Sequence, residues 1–261
     1  MTDAVKLQVS NGVATVLLNR PEAGNAIDDT LGSGLIRVVE QLEQARDVRA
    51  VVLTGSGTTF CVGGDMKASL SDFDRLPTTL AESLAALNRM ISRLARLPVP
   101  VLAAVNGPLG GGGVGLALAA DLVMASSTAK LRGGYTGIGL CPDVGTSWFL
   151  TRRVGVAKAK RVLFLNESLD AATCLEWGLF DFVHPPEQFP AEVDAMAHRL
   201  ADGATGALGL TKRLLDAASE NSLDAQLAAE RDSMILAGHG IEVREGVTAF
   251  LEKRQPRYRS G

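Results

Sequence analysis

Apolar and polar residues alternate at the start of the chain, and this pattern predicts a β-hairpin. Residues 5–9 alternate, the turn dipeptide Asn11-Gly12 follows, and the apolar run 13–18 comes directly after it. An Asn-Gly pair between two such runs is a strong hairpin signal. The chain is therefore expected to open with two antiparallel strands.

Amphipathic helices and buried strands are predicted to alternate after the hairpin. Apolar residues recur at helical spacing over about 28–45 and 80–97, which predicts one apolar face on each helix. The continuous apolar runs 50–54 and 101–105 are typical of strands buried on both faces. This alternation predicts an α/β fold with layered sheets.

The second half of the chain is predicted to become helical. A short buried helix over 114–120 and a strand over 122–125 come first, and a last short strand is predicted over 179–183. A change in composition near residue 203 indicates a core and a helical extension, divided at about residues 1–200 and 201–261. Helical patterns cover 157–165, 171–177, 190–202, 206–219, 222–236 and 242–253.

Composition and charge exclude several classes of protein. Of the 261 residues, 46% are hydrophobic and 21% are charged, which excludes disorder and collagen-like structure. The net charge of −3 offers no basic excess, so we expect no nucleic-acid partner. The longest apolar stretch, 116–125, is too short to span a bilayer, and residues 1–10 lack a signal-peptide pattern. We therefore expect no membrane association and a cytoplasmic location.

Cysteine and histidine are too sparse to build a disulfide framework or an ordinary zinc site. The three cysteines have no C-x-x-C spacing, and the three histidines lie far apart. An odd cysteine count without such spacing indicates a reducing compartment and no metal site.

A glycine-rich segment follows the strand predicted over 101–105. The spacing Gly110-x-Gly112-x-x-Gly115 matches a dinucleotide fingerprint, but the region about 20 residues on, around 132–135, lacks the required acid. A glycine run at a strand-to-helix junction also leaves backbone N–H groups unpaired, and the Gly63-Gly64 loop is a second such element. The two loops could share one carbonyl oxygen, or the glycines could serve close backbone packing, and both interpretations stay open here.

Several motifs occur in a fixed order along nearly the whole chain. They are Asn19-Arg20-Pro21-Glu22 with Asn25-Ala26, the strand and loop 51–55, Phe60 with Gly63-Gly64-Asp65-Met66-Lys67, residues 100–107 with Gly111-Gly112-Gly113, and Glu245-Gly246 with 249–254. Together they resemble the crotonase superfamily, the enoyl-CoA hydratase/isomerase family. The resemblance implies a crotonase-like spiral of repeated ββα units with a C-terminal helical region. It also implies an acyl-CoA thioester as substrate, no separate cofactor, and a homotrimer or a dimer of trimers.

The resemblance also implies roles for particular residues. The backbone N–H groups of Gly64 and Gly112 would form an oxyanion hole for the thioester oxygen. Lys253 would reach the CoA 3′-phosphate of a neighbouring subunit, and Phe250 would help to close that pocket. The resemblance implies that further residues contact the substrate or its CoA part. They are Arg20, Ala26, Val62, Gly63, Asp65, Lys67, Gly111, Tyr135 and Trp148. For Arg20 and Lys67, which could meet phosphates, a solvated surface position is the alternative. The segment 76–87 is expected to shape the acyl pocket.

The chain departs from the hydratases of this family at their two catalytic glutamates. Gly115 and Tyr135 stand at those positions, although addition of water needs one group for the water and another for the α-carbon. The motif Gly139-Leu140-Cys141-Pro142-Asp143-Val144-Gly145, with Trp148 after it, instead resembles the single-carboxylate isomerases. These include Δ3,Δ2-enoyl-CoA isomerases and the epoxide isomerases of phenylacetate breakdown.

The function expected from this resemblance is isomerisation by Asp143, which would remove a proton from one carbon and return it to another. The alternative for Asp143 is a structural helix N-cap, and the alternative for Tyr135 is a packed core phenol. Two other functions stay open: a hydratase or hydrolase-like enzyme with an unrecognised acid, and a non-catalytic acyl-CoA-binding protein.

Overall fold

The computed structural model describes residues 3–66 and 73–259, and it confirms the predicted opening hairpin. Its strands are β1 (Val5–Ser10), β2 (Val13–Leu18), β3 (Ala50–Gly55), β4 (Val101–Val105), β5 (Leu109–Gly110), β6 (Leu122–Ser126), β7 (Lys130–Arg132), β8 (Leu169–Asp170) and β9 (Phe182–His184). Asn11 and Gly12 both have positive φ angles, as the tight turn between the first two strands requires.

The strands form two sheets. The larger sheet has six strands in the order β1-β2-β3-β4-β6-β9, and every pair from β2 onward is parallel. The smaller sheet has the order β5-β7-β8. Because neighbouring parallel strands end at the same edge, the loops after β3 and β4 leave the larger sheet side by side.

Helices cover both faces of the larger sheet and extend beyond it. They are α1 (Asp29–Gln44), α2 (Leu76–Ala95), α3 (Gly112–Leu118), α4 (Thr146–Leu165), α5 (Ala171–Trp177), α6 (Phe189–Asp202), α7 (Thr205–Ala218), α8 (Leu223–Gly238) and α9 (Ile241–Leu251). One core lies between the sheet and α1, α2 and α3, and a second lies between the sheet and α6. Alternate residues of β3 therefore enter opposite cores, Val51 and Leu53 on one side and Ala50 and Val52 on the other.

Most helix predictions are confirmed to within a few residues, with one larger difference. The helix predicted to begin at 157 begins at Thr146, and a break at Gly155 (φ 73°, ψ 163°) divides it. Gly155 adopts a left-handed φ, so the apolar period on either side of the break does not run continuously. The strand predicted over 179–183 is shorter and later, because Leu179 and Phe180 turn into the core instead.

An aspartate stands directly before each of two successive parallel strands. The Asp121 carboxylate accepts a hydrogen bond from the Val101 N–H (2.7 Å), and the Asp181 carboxylate accepts one from the Val123 N–H (2.6 Å). Arg153 joins the two sites, since it pairs with Asp181 and donates to the Asp121 carbonyl. In both places the aspartate thus accepts from an N–H group in the first two residues of the neighbouring strand.

One junction that holds the C-terminal helices to the core lies at the end of α6, and Lys212 of α7 also pairs with Asp121 at 2.9 Å. Arg49 donates to the carbonyl oxygens of Ala201 (2.6 Å) and Gly203 (2.8 Å), at the end of α6. Glu242 accepts hydrogen bonds from the N–H groups of Gly206 and Ala207, in the first turn of α7. Its carboxylate lies 3.8 Å from the Arg49 guanidinium, so an ion pair links the two helix ends.

Within residues 3–66 and 73–259, no helix combines the length and the apolar character needed to cross a lipid bilayer.

Candidate active site

Two loops at the edge of the larger sheet are joined by backbone hydrogen bonds. The loop after β3 and the segment after β4 meet where the Gly110 N–H donates to the Cys61 carbonyl (3.0 Å) and the Phe60 N–H donates to the Pro108 carbonyl (3.1 Å). The topology of the parallel sheet thus brings the Gly63-Gly64 loop against the start of α3.

Gly63 is required by the close approach of these two loops. Its φ angle is +96°, and a Cβ atom there would lie 2.9 Å from the Gly110 carbonyl oxygen and 3.1 Å from the Gly112 nitrogen. A side chain would therefore separate the loops. The packing interpretation of the glycines is correct at this position.

Gly64 and Gly112 have different surroundings, and their N–H groups are not among the backbone hydrogen bonds that join these segments. The Gly63 carbonyl accepts from the Ile27 N–H (2.7 Å) and the Asp65 N–H donates to the Ile27 carbonyl (2.9 Å). Because backbone groups alternate sides along an extended segment, the Gly64 N–H points away from Ile27. Gly112 is the first residue of α3, so its N–H has no acceptor within the helix.

The glycine loops form one wall of a cavity of about 950 Å³. The segment expected to shape an acyl pocket does line it, through Thr79, Leu80, Ser83, Leu84, Ala86 and Leu87. The sequence-predicted residues Val62, Gly64, Asp65, Gly111, Gly112, Tyr135 and Asp143 also share this wall. Much of the remaining surface is apolar, with contributions from Ile27, Ile36, Ile138, Leu140 and Val144.

Asp143 lies beside Gly112 and is bound by Tyr135. A Cβ atom on Gly112 would lie 3.4 Å from Asp143 Oδ1, and the Tyr135 hydroxyl donates to that same oxygen at 2.7 Å. Burial raises the pKa of the Asp143 carboxyl above its usual value, and the Tyr135 hydrogen bond offsets part of this effect. An acid with a raised pKa is suited to take and return a proton near neutral pH.

Asp143 is not a helix cap. Helix α4 begins at Thr146, its N-cap residue is Gly145, and no side chain caps it. Asp143 contributes only its main-chain oxygen to this turn, accepting from the Thr146 N–H (2.8 Å). Between them Val144 has a φ angle of +48°, a strained conformation for a β-branched residue, which turns the chain sharply after Asp143.

Neither of the two positions expected to carry the hydratase glutamates, 115 and 135, is an acid here. Position 115 also has no room for a side chain. A Cβ atom on Gly115 would lie 2.2 Å from the Val144 carbonyl oxygen and 2.7 Å from Thr146 Oγ1. The turn after Asp143 therefore occupies the space that a side chain at 115 needs. Tyr135, at the second position, is buried, and burial and the nearby Asp143 carboxylate raise its pKa, so it stays neutral.

Arg20 is neither a solvated surface side chain nor a free cation. Its guanidinium lies 3.1 Å from the Asp28 carboxylate and 3.4 Å from that of Asp65, and it donates to the Ala26 carbonyl at 2.7 Å. The surface alternative for Arg20 is therefore wrong, because two carboxylates balance its charge within the fold. Asp65 and Ala26 are correspondingly engaged in holding Arg20.

The side chains of Trp148, Phe250 and Lys253 lie outside the cavity wall formed by the described residues. Trp148 is 41% exposed and stacks under the Arg152 guanidinium, 3.5 Å from the ring centre. Phe250 (81% exposed) and Lys253 are at the end of α9, on the surface of the C-terminal helices. Lys67 falls outside the described residues.

Sequence patterns did not reveal Thr146, Lys130 or Arg132. Thr146 is buried and its hydroxyl lies 3.0 Å from that of Tyr135. Lys130 and Arg132 stand on β7 at the cavity rim and are exposed. Only the pairing of β7 with β5 brings them there, and nothing in the local sequence indicates it.

The cysteine beside the glycine loop, Cys61, is buried. All three cysteines are free, and burial raises the pKa of the Cys61 thiol to about 12, so it stays protonated beside the glycine loop. Among residues 3–66 and 73–259, no three His, Cys, Asp or Glu side chains converge as a metal site would require.

Comparison with known proteins shows that the chain is similar to enzymes named for acyl-CoA substrates. The family model described as enoyl-CoA hydratase/isomerase matches residues 8–261. The 1,2-epoxyphenylacetyl-CoA isomerase of Escherichia coli (strain K12) is 38% identical over 263 residues, which cover 99% of both chains. The short-chain-enoyl-CoA hydratase of Clostridium acetobutylicum is 31% identical over 252 residues, covering 96% of this chain and 95% of that protein.

The fold is shared as well. The crystal structure of an enoyl-CoA hydratase from Polaromonas sp. JS666 superposes with a TM-score of 0.92 at 35% identity, covering 98% of this chain and 99% of the other. The predicted crotonase-like fold is therefore confirmed.

Proposed function

The chain belongs to the enoyl-CoA hydratase/isomerase family, and from that premise we propose that it isomerises an acyl-CoA thioester with one carboxylate, Asp143. The substrate is an enoyl-CoA or a ring-epoxide acyl-CoA. The 38% identity to a protein named as a 1,2-epoxyphenylacetyl-CoA isomerase supports the second of these substrates.

The proposed reaction moves one proton between two carbons of the acyl group. For a 3-enoyl thioester, Asp143 takes the proton from C2, and the electrons of that C–H bond pass to the thioester oxygen. The N–H groups of Gly64 and Gly112 hold the resulting dienolate, and such a donor contributes about 3–4 kcal/mol to lowering the barrier. Asp143 then returns the proton at C4, and the double bond lies between C2 and C3.

The observation that carries this proposal is the packing around Gly115. Its Cβ position lies 2.2 Å from the Val144 carbonyl oxygen, so this backbone excludes the first glutamate of a hydratase. Asp143 is the acid next to Gly112, and its raised pKa suits a group that takes and returns the same proton. One-carboxylate chemistry needs no second acid.

Binding of the CoA arm is proposed along Val62 and Gly63, with Phe250 and Lys253 reaching a neighbouring subunit. The C-terminal helices support a homotrimer or a dimer of trimers, because they expose apolar side chains that a partner would cover. These are Leu215, Leu223, Leu227, Met234, Ile235, Leu236, Ile241, Val247, Phe250 and Leu251, all more than half exposed. Light scattering distinguishes these assemblies from a monomer.

The function is tested with a panel of 2-enoyl, 3-enoyl and phenylacetyl-epoxide thioesters in deuterated water, with products resolved by mass. Wild type, Asp143→Asn and the control Glu187→Gln, which neutralises an exposed acid, are compared. In wild type we expect double-bond migration or ring expansion without addition of water. The rate of this reaction should fall by about 10²-fold or more in Asp143→Asn and stay unchanged in Glu187→Gln. Net hydration that persists in Asp143→Asn contradicts the proposal, and CoA-ester binding without turnover across the panel in wild type also does so.

A further inference from the structure

Two hydroxyl groups stand in line behind the Asp143 carboxylate. The Tyr135 hydroxyl donates its proton to Asp143 Oδ1 at 2.7 Å, and Thr146 Oγ1 lies 3.0 Å from the Tyr135 oxygen. A phenol has one proton to donate, and here Asp143 receives it. The Thr146 hydroxyl must therefore donate to Tyr135. The two hydrogen bonds form a hydroxyl chain that donates from Thr146 to Tyr135 and from Tyr135 to Asp143.

This hydroxyl chain is shielded from solvent. Thr146 is completely buried and Tyr135 is 6% exposed. A buried hydrogen bond to a charged group is stronger than one in water, and the second donor polarises the first. Gly115 is necessary for this arrangement, because its Cβ atom would lie 2.7 Å from Thr146 Oγ1.

The two oxygens of Asp143 are not equivalent. Oδ1 is bound by Tyr135 and faces Gly112. Oδ2 accepts no hydrogen bond from another residue in the described part of the chain, yet it is not a buried unsatisfied atom there. It therefore has access to solvent, and Asp143 lines the cavity.

We propose that Tyr135 and Thr146 are positioning residues that hold Oδ1 of Asp143 in both protonation states, so that Oδ2 takes and returns the substrate proton. This inference rests on the proposed isomerase function and deepens it. The proton passes from substrate carbon to Oδ2 and back to carbon, while the Tyr135 and Thr146 protons stay on their own oxygens. Proton removal and return then occur at one fixed point of the cavity.

Tyr135 does not act as the acid or base itself. Its proton is already donated to Asp143, and burial together with the Asp143 charge keeps the phenol neutral. Its effect on the reaction therefore passes through the carboxylate that it holds.

Three variants test the chain by the pH dependence of kcat/KM. Tyr135→Phe removes the donor to Oδ1, Thr146→Val removes the donor to Tyr135, and Thr146→Ser keeps a hydroxyl and serves as the matched control. The charged residues on the same wall, Asp28, Asp29, Asp65, Lys130 and Arg132, stay unchanged in every variant.

We expect Tyr135→Phe to lower kcat by about tenfold to a hundredfold, the range of a hydrogen bond to a charged group. Its acid limb should move to higher pH, because the ionised carboxylate loses a donor. Thr146→Val should shift the limb in the same direction by less, and Thr146→Ser should resemble wild type. Circular dichroism and thermal melting establish that each variant is folded.

The inference is overturned if the acid limb of Tyr135→Phe stays at the wild-type pH. It is also overturned if Thr146→Ser shifts the acid limb as far as Thr146→Val does. Asp143→Asn, assayed in parallel, separates the two proposals. If Asp143→Asn is active, the proposed function fails. If Asp143→Asn is inactive while Tyr135→Phe keeps the wild-type pH profile, only the hydroxyl chain fails.

Discussion

Asp143 and Gly112 lie against each other across the cavity wall, so closely that a Cβ atom on Gly112 would come 3.4 Å from Asp143 Oδ1. The acid is on the turn before α4 and the glycine begins α3, 31 positions earlier in the chain. The acid proposed to transfer the proton and a backbone N–H proposed to hold the oxyanion are thus adjacent.

A side chain at position 112 should disturb the reaction more than the fold. Gly112→Ala would place a methyl group 3.2 Å from Val144 Cγ2 and 3.4 Å from Asp143 Oδ1, so Val144, the residue next to the acid, must shift slightly. We expect kcat to fall by about tenfold to a hundredfold, since small misplacements of catalytic groups are costly. Gly238→Ala, with no atom within 4 Å of its Cβ position, is the control and should match wild type. An unchanged kcat in Gly112→Ala would argue against this geometry.

A side chain at position 115 should damage the fold itself. Gly115→Ala would bring Cβ to 2.2 Å from the Val144 carbonyl oxygen, and backbone cannot move aside as a flexible side chain can. The free energy of unfolding should fall by about 3 kcal/mol, measured by urea denaturation. Gly110→Ala is the matched control, because its nearest contacts are ordinary at 3.5 Å and 3.6 Å. Equal stability of the two variants would contradict the packing described around Gly115.

Stability should depend on pH through Asp143. Burial raises the pKa of this carboxyl in the folded state, so the folded protein binds its proton more readily than the unfolded chain does. The stabilisation from that proton is present at low pH and is lost as pH rises through the folded-state pKa. Asp143→Asn, which is neutral throughout, should therefore melt at a higher temperature than wild type at pH 8, and the difference should shrink toward pH 4.

Differential scanning fluorimetry across this range, with Glu187→Gln alongside, separates the Asp143 effect from a general change of net charge. A difference in melting temperature that grows as pH falls would have the wrong sign for a carboxyl with a raised pKa.

The link between Arg49 and Glu242 should contribute to the attachment of the C-terminal helices. Glu242→Ala removes the acceptor for the Gly206 and Ala207 N–H groups. Loss of such a cap costs about 1–2 kcal/mol, and amide protons of α7 should exchange with deuterium faster than those of the larger sheet. Glu230→Ala, at an exposed acid of α8, should leave the exchange of α7 unchanged. An equal loss of protection from exchange in α7 and in the larger sheet would instead indicate global unfolding.

Much of the fold follows from local patterns in the sequence. The apolar runs of β3 and β4 and the helical period of α1 each specify an element without reference to distant residues, because side-chain direction repeats every two or 3.6 residues. The start of α4 did not follow in this way. Val144 and Gly145 adopt left-handed φ angles. Local propensity disfavours such an angle for Val144 and merely permits it for Gly145, so packing against α3 imposes the turn.

The order of the glycine loops, the missing glutamates and the position of Asp143 were determined by the sequence alone, together with the α/β class and its helical extension. Only the tertiary structure decided that Arg20 is held by Asp28 and Asp65, that Gly115 has no room for a side chain, and that Thr146 and Tyr135 stand behind Asp143. Each of these relationships is a distance between segments remote in the chain. Periodicity specifies which face of an element is buried, whereas contacts of this kind depend on how the buried faces of several elements pack together.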